Sequence, residues 1–270
     1  LRLQFALNQP MQKPSNRGEF SMRIAVFVSL CLASIIVNAD IGIRGSFLHF
    51  RADPFVVGDE AAAVFVEDGF LQVGDDGRIV SLKAFSPSDL ENPKIHTFKN
   101  YEHSLIVPGF IDTHIHYPQT EMVAAFGEQL LGWLQTHTFP TELQFKDKEY
   151  ARSVSVHFFN QLLRNGTTTA MVFATKHPES VDAFFEEAQK RNLRMISGKV
   201  LMDYPGGIVP ADLLDTAESG YNDSKTLIEK WHGKDRLLYA ITPRFALTSS
   251  EDQLRLAGKL KKEYSGVLGK

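Results

Sequence analysis

The run LIVPGFIDTHIH, residues 105–116, decides how the chain is read. It opens on apolar residues and closes on polar ones. That is the pattern of a parallel strand buried on both faces, with its functional groups at the C-terminal end. Strand-like and helix-like segments then alternate downstream. Asp147 stands as the N-cap of a helix on which Tyr150, Val154, Phe158 and Leu162 recur every four residues, and Gly166 sits where it stops. TTTAMVF (167–173) reads as the next strand. Residues 180–192 read as a second helix, basic at Lys190 and Arg191 near its end. RMISGKVLM (194–202) is a third strand, and 216–232 a third helix closed by Gly233. LLYAITPRF (237–245) is a fourth strand, and 250–264 a fourth helix. Repeated units of this kind predict an α/β fold with a parallel sheet, either open or part of a (β/α) barrel. A closed barrel needs eight units, and about four are present.

Upstream, residues 41–98 read as a small antiparallel meander. AAVFVEDGFLQVGDDGRIVSLKAF alternates β-branched and aromatic runs with turns at Asp68-Gly69 and Asp75-Asp76-Gly77. The expected organisation is a leader over 1–40, a small β domain over 41–104 and a barrel domain over 105–270. Residues 1–21 are polar and lack periodicity, so they read as disordered or as sequence upstream of a start at Met22. From Met22, a basic Arg23, an apolar run over 24–37 and Val37-Asn38-Ala39 resemble a secretory signal with its cleavage site; a buried strand or helix is the alternative. The run is shorter than the ~20 residues of a membrane span, and no later stretch qualifies.

Of the 270 residues, 43% are hydrophobic and 23% charged, which excludes a disordered or low-complexity chain. Twenty-nine basic against thirty-two acidic side chains leave a net charge of -3, giving no electrostatic case for nucleic-acid binding. A single cysteine, Cys31, excludes an internal disulfide and a multi-cysteine zinc site. Metal chemistry is left to nine histidines.

His114 and His116 form the one H-x-H of the chain. On a strand, residues two apart share a face about 7 Å apart. Two imidazoles so placed can converge on one zinc ion through bonds of about 2.0–2.1 Å. Chance alone supplies roughly 0.3 such pairs at this histidine content, so the weight comes from context. The pair stands at the tip of an apolar strand, where barrel enzymes place their chemistry. His49, His96, His103 and His232 read as surface residues, and His137 and His157 as hydrogen-bonded core histidines. His177 follows the second strand tip, where it could line the site or play no part in it.

PGFIDTHIHYPQ resembles the first-strand signature of the amidohydrolase superfamily, and its Y-P-Q ending is similar to the members that deaminate guanine. The likeness continues through GEQLLGWLQTHTFPTE, LLRNGTTTA, MISGKVLMD, LLDTAESGY and ITPRFALTSS, covering roughly residues 41–264. It implies a metal-dependent (β/α)8 TIM-like barrel, here its first four strand–helix units, with the N-terminal part of a small β-sandwich domain. The implied reaction is zinc-dependent hydrolytic deamination of guanine to xanthine and ammonia, at a cyclic amidine C–N bond. His114 and His116 match the first-strand zinc ligands, with His116 also against the substrate. Gln119 matches a side chain that hydrogen-bonds the purine, Arg244 and Phe245 the pair that holds the base, and Tyr117 and Pro118 a substrate-contacting turn. Read without the resemblance, Arg244 is a surface loop arginine and Phe245 a core aromatic.

The resemblance also implies a homodimer and a cytoplasmic home, whereas the segment 22–39 implies secretion. The family's remaining histidines, its catalytic glutamate and a metal-binding aspartate belong to later strands, and none matches here. The sequence ends where the third ligand strand should begin, so a truncated chain without activity of its own is expected. The rival readings are another deaminase or a chlorohydrolase-like enzyme of the same superfamily, and a non-catalytic fragment whose open sheet edge binds a partner.

Overall fold

The computed structural model describes residues 40–127 and 129–270. The polar leader, the signal-like segment and Cys31 lie outside the described residues. Of those described, 40–44 and 68–102 form one compact unit, and 45–67 and 103–270 form the other.

The described residues begin with strand β1 (Asp40–Phe50), two single-turn helices α1 (Pro54–Val57) and α2 (Asp59–Ala62), and strands β2 (Ala63–Val73), β3 (Ile79–Ala84) and β4 (Ile95–Ile106). These strands form one four-stranded sheet in the order β3-β2-β1-β4. The turn expected at Asp75-Asp76-Gly77 is present, with Gly77 at φ 77°. The turn expected at Asp68-Gly69 is not: both residues lie inside β2, with Gly69 opposite Ala84. Cross-strand pairing overrides the local turn preference there, and the Asp68 carboxylate takes two 2.8 Å hydrogen bonds from Arg44.

The decisive run of residues 105–116 is not one strand. Leu105 and Ile106 end β4, and β5 (Phe110–His116) starts after a break at Val107-Pro108-Gly109. Pro108 has no N–H for a ladder and pins its own φ. Gly109 passes so close to the next strand that a Cβ would stand 2.2 Å from Thr168 Oγ1.

After β5 come the short helices α3 (Leu130–Trp133) and α4 (Phe139–Glu142), joined by a π-helical turn over Leu134–Thr138. Four strand–helix repeats then involve α5 (Lys148–Arg164), β6 (Thr167–Phe173), α6 (Pro178–Lys190), β7 (Arg194–Gly198), β8 (Val200–Leu201), α7 (Ala217–Trp231), β9 (Leu238–Pro243), α8 (Glu251–Glu263) and β10 (Leu268–Gly269). The helix starts follow from their caps. Asp147 accepts from the amides of Glu149 and Tyr150, Thr216 from Ser219, and Ser250 from Gln253. The apolar periodicity of α5 and α6 buries Val154, Phe158, Phe159, Leu162, Phe184 and Phe185 against the sheet, with Trp231 of α7 beside Phe185.

Among the described residues every pairing in this sheet is parallel, and its order is β5-β6-β7-β9-β10, with β8 also on β9. Neighbours in space are neighbours in sequence, with no reversal of winding. The protein is therefore an α/β fold with a parallel sheet, and among the described residues that sheet stays open. The third predicted strand is split at Lys199, whose buried Nζ pairs with Asp215. The fourth predicted strand is partly covered on its outer side, where Leu268 and Gly269 pair with Ala240 and Ile241. No described helix is long and apolar enough to cross a membrane.

Candidate active site

A strand tip can present side chains to a shared cavity only if the backbone aims them there. In β5 the register with β6 slips between Asp112 and Ile115, leaving one extra residue on β5. Such bulges re-aim side chains and are common beside active sites. Asp112 supports this one, its Oδ1 accepting from the backbone N–H of His114 at 2.9 Å. His114 and His116 end with ring centres 5.4 Å apart. The ring of Phe173, at the tip of β6, stacks on His116 at 4.3 Å and 9° and lies 5.2 Å from His114.

Burial, reinforced by the positive charge of Arg244, pushes the pKa of His116 down to about 3. The ring is therefore neutral at ordinary pH and keeps a nitrogen lone pair for a metal or a proton donor. Gln119 lies 3.5 Å from its Nδ1. No third His, Cys, Asp or Glu gathers with these two among the described residues to complete a metal-binding cluster. Two imidazoles are a donor set that zinc accepts, and zinc sites use three or four protein ligands.

The two histidines and Gln119 line a cavity of about 360 Å³ together with Trp133, Arg244 and Phe245. A purine is small enough to enter it. Leu134 and Phe173 of its lining belong to a buried apolar cluster with Phe139, Val200 and Met202. Arg244 follows the last residue of β9, its backbone N–H donating to the Leu201 carbonyl at 3.2 Å. Its side chain is 5% exposed, with Nη1 donating to both carboxylate oxygens of Glu142. It is therefore not a surface arginine. A larger, open cavity of about 870 Å³ adjoins on the β5–α5 side and shares His114, His116, Gln119 and Trp133.

Two expected substrate contacts are not on the cavity wall. Tyr117 is fully buried, packed edge-on against Phe145, and its hydroxyl donates to the Ser180 carbonyl at 2.7 Å. Pro118 is buried beside it. Both follow the strand tip, where the chain turns inward to close the core. His157 is not a core histidine: it falls on the exposed face of α5, outside the arc of buried residues, and lines the larger cavity. His177 is the N-cap residue of α6, its buried Nε2 without a hydrogen-bond partner. It lines neither cavity.

Sequence reasoning passed over Phe173, Trp133 and Glu142. Phe173 carried a usable signal as the last residue of the strand after the histidine strand. Glu142 carried none, since its partner is 102 residues away.

The model of the Amidohydrolase family matches residues 105–268. Over 223 residues the chain is 53% identical to guanine deaminase of Escherichia coli (strain K12), a match covering 82% of this chain and 50% of that protein. It superposes on the crystal structure of guanine deaminase from Bradyrhizobium japonicum with a TM-score of 0.79 at 42% identity, covering 85% of this chain and 49% of that one. A guanine deaminase structure from C. acetobutylicum with guanine bound in its active site gives a TM-score of 0.71 at 26% identity, covering 84% and 51% of the two chains. The chain spans about half the length of the relatives it matches.

Proposed function

The chain belongs to the amidohydrolase family, and on that premise we propose that it contributes the purine-binding cavity and two metal ligands of an enzyme that hydrolyses guanine to xanthine and ammonia. The observation that carries the reading is the convergence of His114, His116, Gln119, Arg244 and Phe245, drawn from two strand tips, on one cavity. The unreversed winding of the parallel sheet supports a (β/α) barrel over 105–270, with 41–104 contributing to a small β domain.

His114 and His116 are the residues that would hold zinc. When bound, zinc lowers the pKa of a water molecule to about 7 and so supplies hydroxide near neutral pH. The protein's part is to bind and orient. Guanine presents O6 and N7 as adjacent acceptors, which suit two parallel N–H donors from one guanidinium. Phe245 offers its ring to the purine face, a contact worth about 1–3 kcal/mol in single-strand binders. Gln119 can serve either as donor or as acceptor at the base edge.

Proton transfer needs a general acid or base in reach of the reacting atoms, a role the family resemblance gives to a glutamate. Glu142 is held by Arg244 and is not free for that task. With two imidazoles in place of the three or four protein ligands usual for zinc, the 270 residues by themselves are expected to bind zinc weakly and to leave guanine unconverted. A homodimer and a cytosolic home of the complete protein belong to the same reading and rest on the family alone.

The test follows guanine conversion to xanthine by ultraviolet absorbance. Zinc-loaded complete protein is expected to turn over, and the isolated 270-residue chain is not. Chelator-sensitive turnover by the isolated chain, or none by the complete protein, contradicts the reading.

A further inference from the structure

Glu142 is the buried charge for which the proposed chemistry has no use. It ends α4 with its side chain 1% exposed, three residues after Phe139 of the buried apolar cluster. A carboxylate there is costly unless it is paired and hydrogen-bonded. Its partner is Arg244, and the pairing has an unusual form. A single nitrogen, Nη1, donates to both carboxylate oxygens, at 2.9 and 2.7 Å. The same nitrogen lies 3.8 Å from Met202 Sδ. Phe139, one helical turn before Glu142 and so on the same face of α4, places its ring centre 5.4 Å from the guanidinium carbon. Carboxylate and ring thus anchor the guanidinium from one short helix.

A fork-to-fork arginine–carboxylate pair uses two nitrogens. This one uses one. Among the described residues Nε and Nη2 of Arg244 form no hydrogen bond, while the side chain lines the cavity with His114, His116 and Phe245. Nε–H and Nη2–H lie on one edge of the planar group and point the same way, as a two-donor fork.

We infer that Glu142 is a positioning residue that sets specificity: by holding Arg244 through Nη1 alone, it fixes the Nε–Nη2 edge toward the cavity to select a ring with two adjacent acceptors, the O6/N7 edge of a 6-oxopurine. The inference rests on the reading that Arg244 holds the purine. A 6-aminopurine presents a donor where the 6-oxopurine presents O6, so the fixed fork rejects it. A guanidinium released from its anchor turns away from that geometry, and misplacement by about 1 Å can cost on the order of a hundredfold.

The experiment uses the complete zinc-loaded protein and compares Glu142→Gln, Glu142→Asp, Arg244→Gln and the Glu142→Gln/Arg244→Gln pair. It reads KM and kcat for guanine, xanthine binding by calorimetry, and zinc content as the measure of an intact site. Glu142→Gln is expected to raise KM and weaken xanthine binding by at least about tenfold, with kcat changed far less and zinc retained. Glu142→Asp keeps the charge but withdraws it by one methylene, and moves the same two readouts in the same direction by less. If Glu142→Gln does not fold, this variant decides. The pair should be no worse than Arg244→Gln alone, because the two residues act as one unit. If Arg244→Gln weakens binding while neither Glu142 variant does, or if the effects simply add, Glu142 has no positioning role. If Arg244→Gln itself leaves KM and xanthine binding unchanged, the reading of Arg244 as the purine holder fails instead.

Discussion

Arg244 shows how much a single side chain's geometry carries here. A lysine at that position keeps the charge but offers a point donor in place of a planar fork. Arg244→Lys is accordingly expected to lose about 2–4 kcal/mol in guanine kcat/KM while zinc content is unchanged, as steady-state kinetics with elemental analysis would show. Unchanged kinetics would return Arg244 to a structural role. His177 makes a different kind of prediction. Burial first, then the charges of Lys176, Lys199 and Lys146, push its pKa down to about 4 from the ordinary 6.5. The unfolded chain therefore binds more protons than the folded one between those two values. The stability this neutral ring contributes is complete above about pH 6.5 and is lost as pH falls toward 4. The residue is only partly buried, so solvent screening reduces the effect to on the order of 1 kcal/mol. His177→Gln should flatten that acid limb in denaturant titrations across the window, and an unchanged slope would rule the residue out as its source.

At the scale of the element, strand contacts are as close as sterics allow. Gly198, the last residue of β7, has no room for a Cβ, which would stand 1.8 Å from the Ala240 carbonyl oxygen. Gly198→Ala is expected to cost at least about 1–3 kcal/mol by overpacking, read as a lowered melting temperature. An unchanged melting temperature would mean that the two strands are not held this tightly. Such contacts also explain what the sequence could and could not disclose. The four long helices were legible because their information is local: Asp147, Thr216 and Ser250 cap three of them, and the apolar spacing of Val154, Phe158 and Leu162 phases the first. The parallel sheet followed from their alternation with apolar runs. The break at Pro108-Gly109, the bulge before Ile115 and the split at Lys199 were not legible. Each depends on a partner far along the chain or on the neighbouring strand: Thr168 for Gly109, Ala170 and Val172 for the bulge, and Asp215 for Lys199. The site divides in the same way. His114 and His116 could be read from their spacing on an apolar strand, whereas Gln119, Arg244 and Phe245 came only through family likeness. Tyr117 was drawn into the same list by its place after the histidines, and the core claimed it.

For the whole molecule, the question is what one cavity assembled from separated segments can do. His116, Trp133, Phe173 and Arg244 stand in different elements or connections, yet line the same 360 Å³ space. Two imidazoles beside an anchored guanidinium are the groups the proposed function assigns to a metal and an acceptor-rich ring, and the chain spans about half the length of the guanine deaminases it resembles. In the complete protein, the double variant His114→Ala/His116→Ala is expected to lose tightly bound zinc and turnover together, and stoichiometric zinc in that variant would show that these histidines are not ligands. The most direct test of the central claim is a crystal structure of the complete protein grown with zinc and xanthine. The account predicts metal density bonded to His114 and His116, with the purine against the Phe245 ring and its O6/N7 edge on Arg244. A metal held by other residues, or xanthine bound away from this cavity, would contradict it.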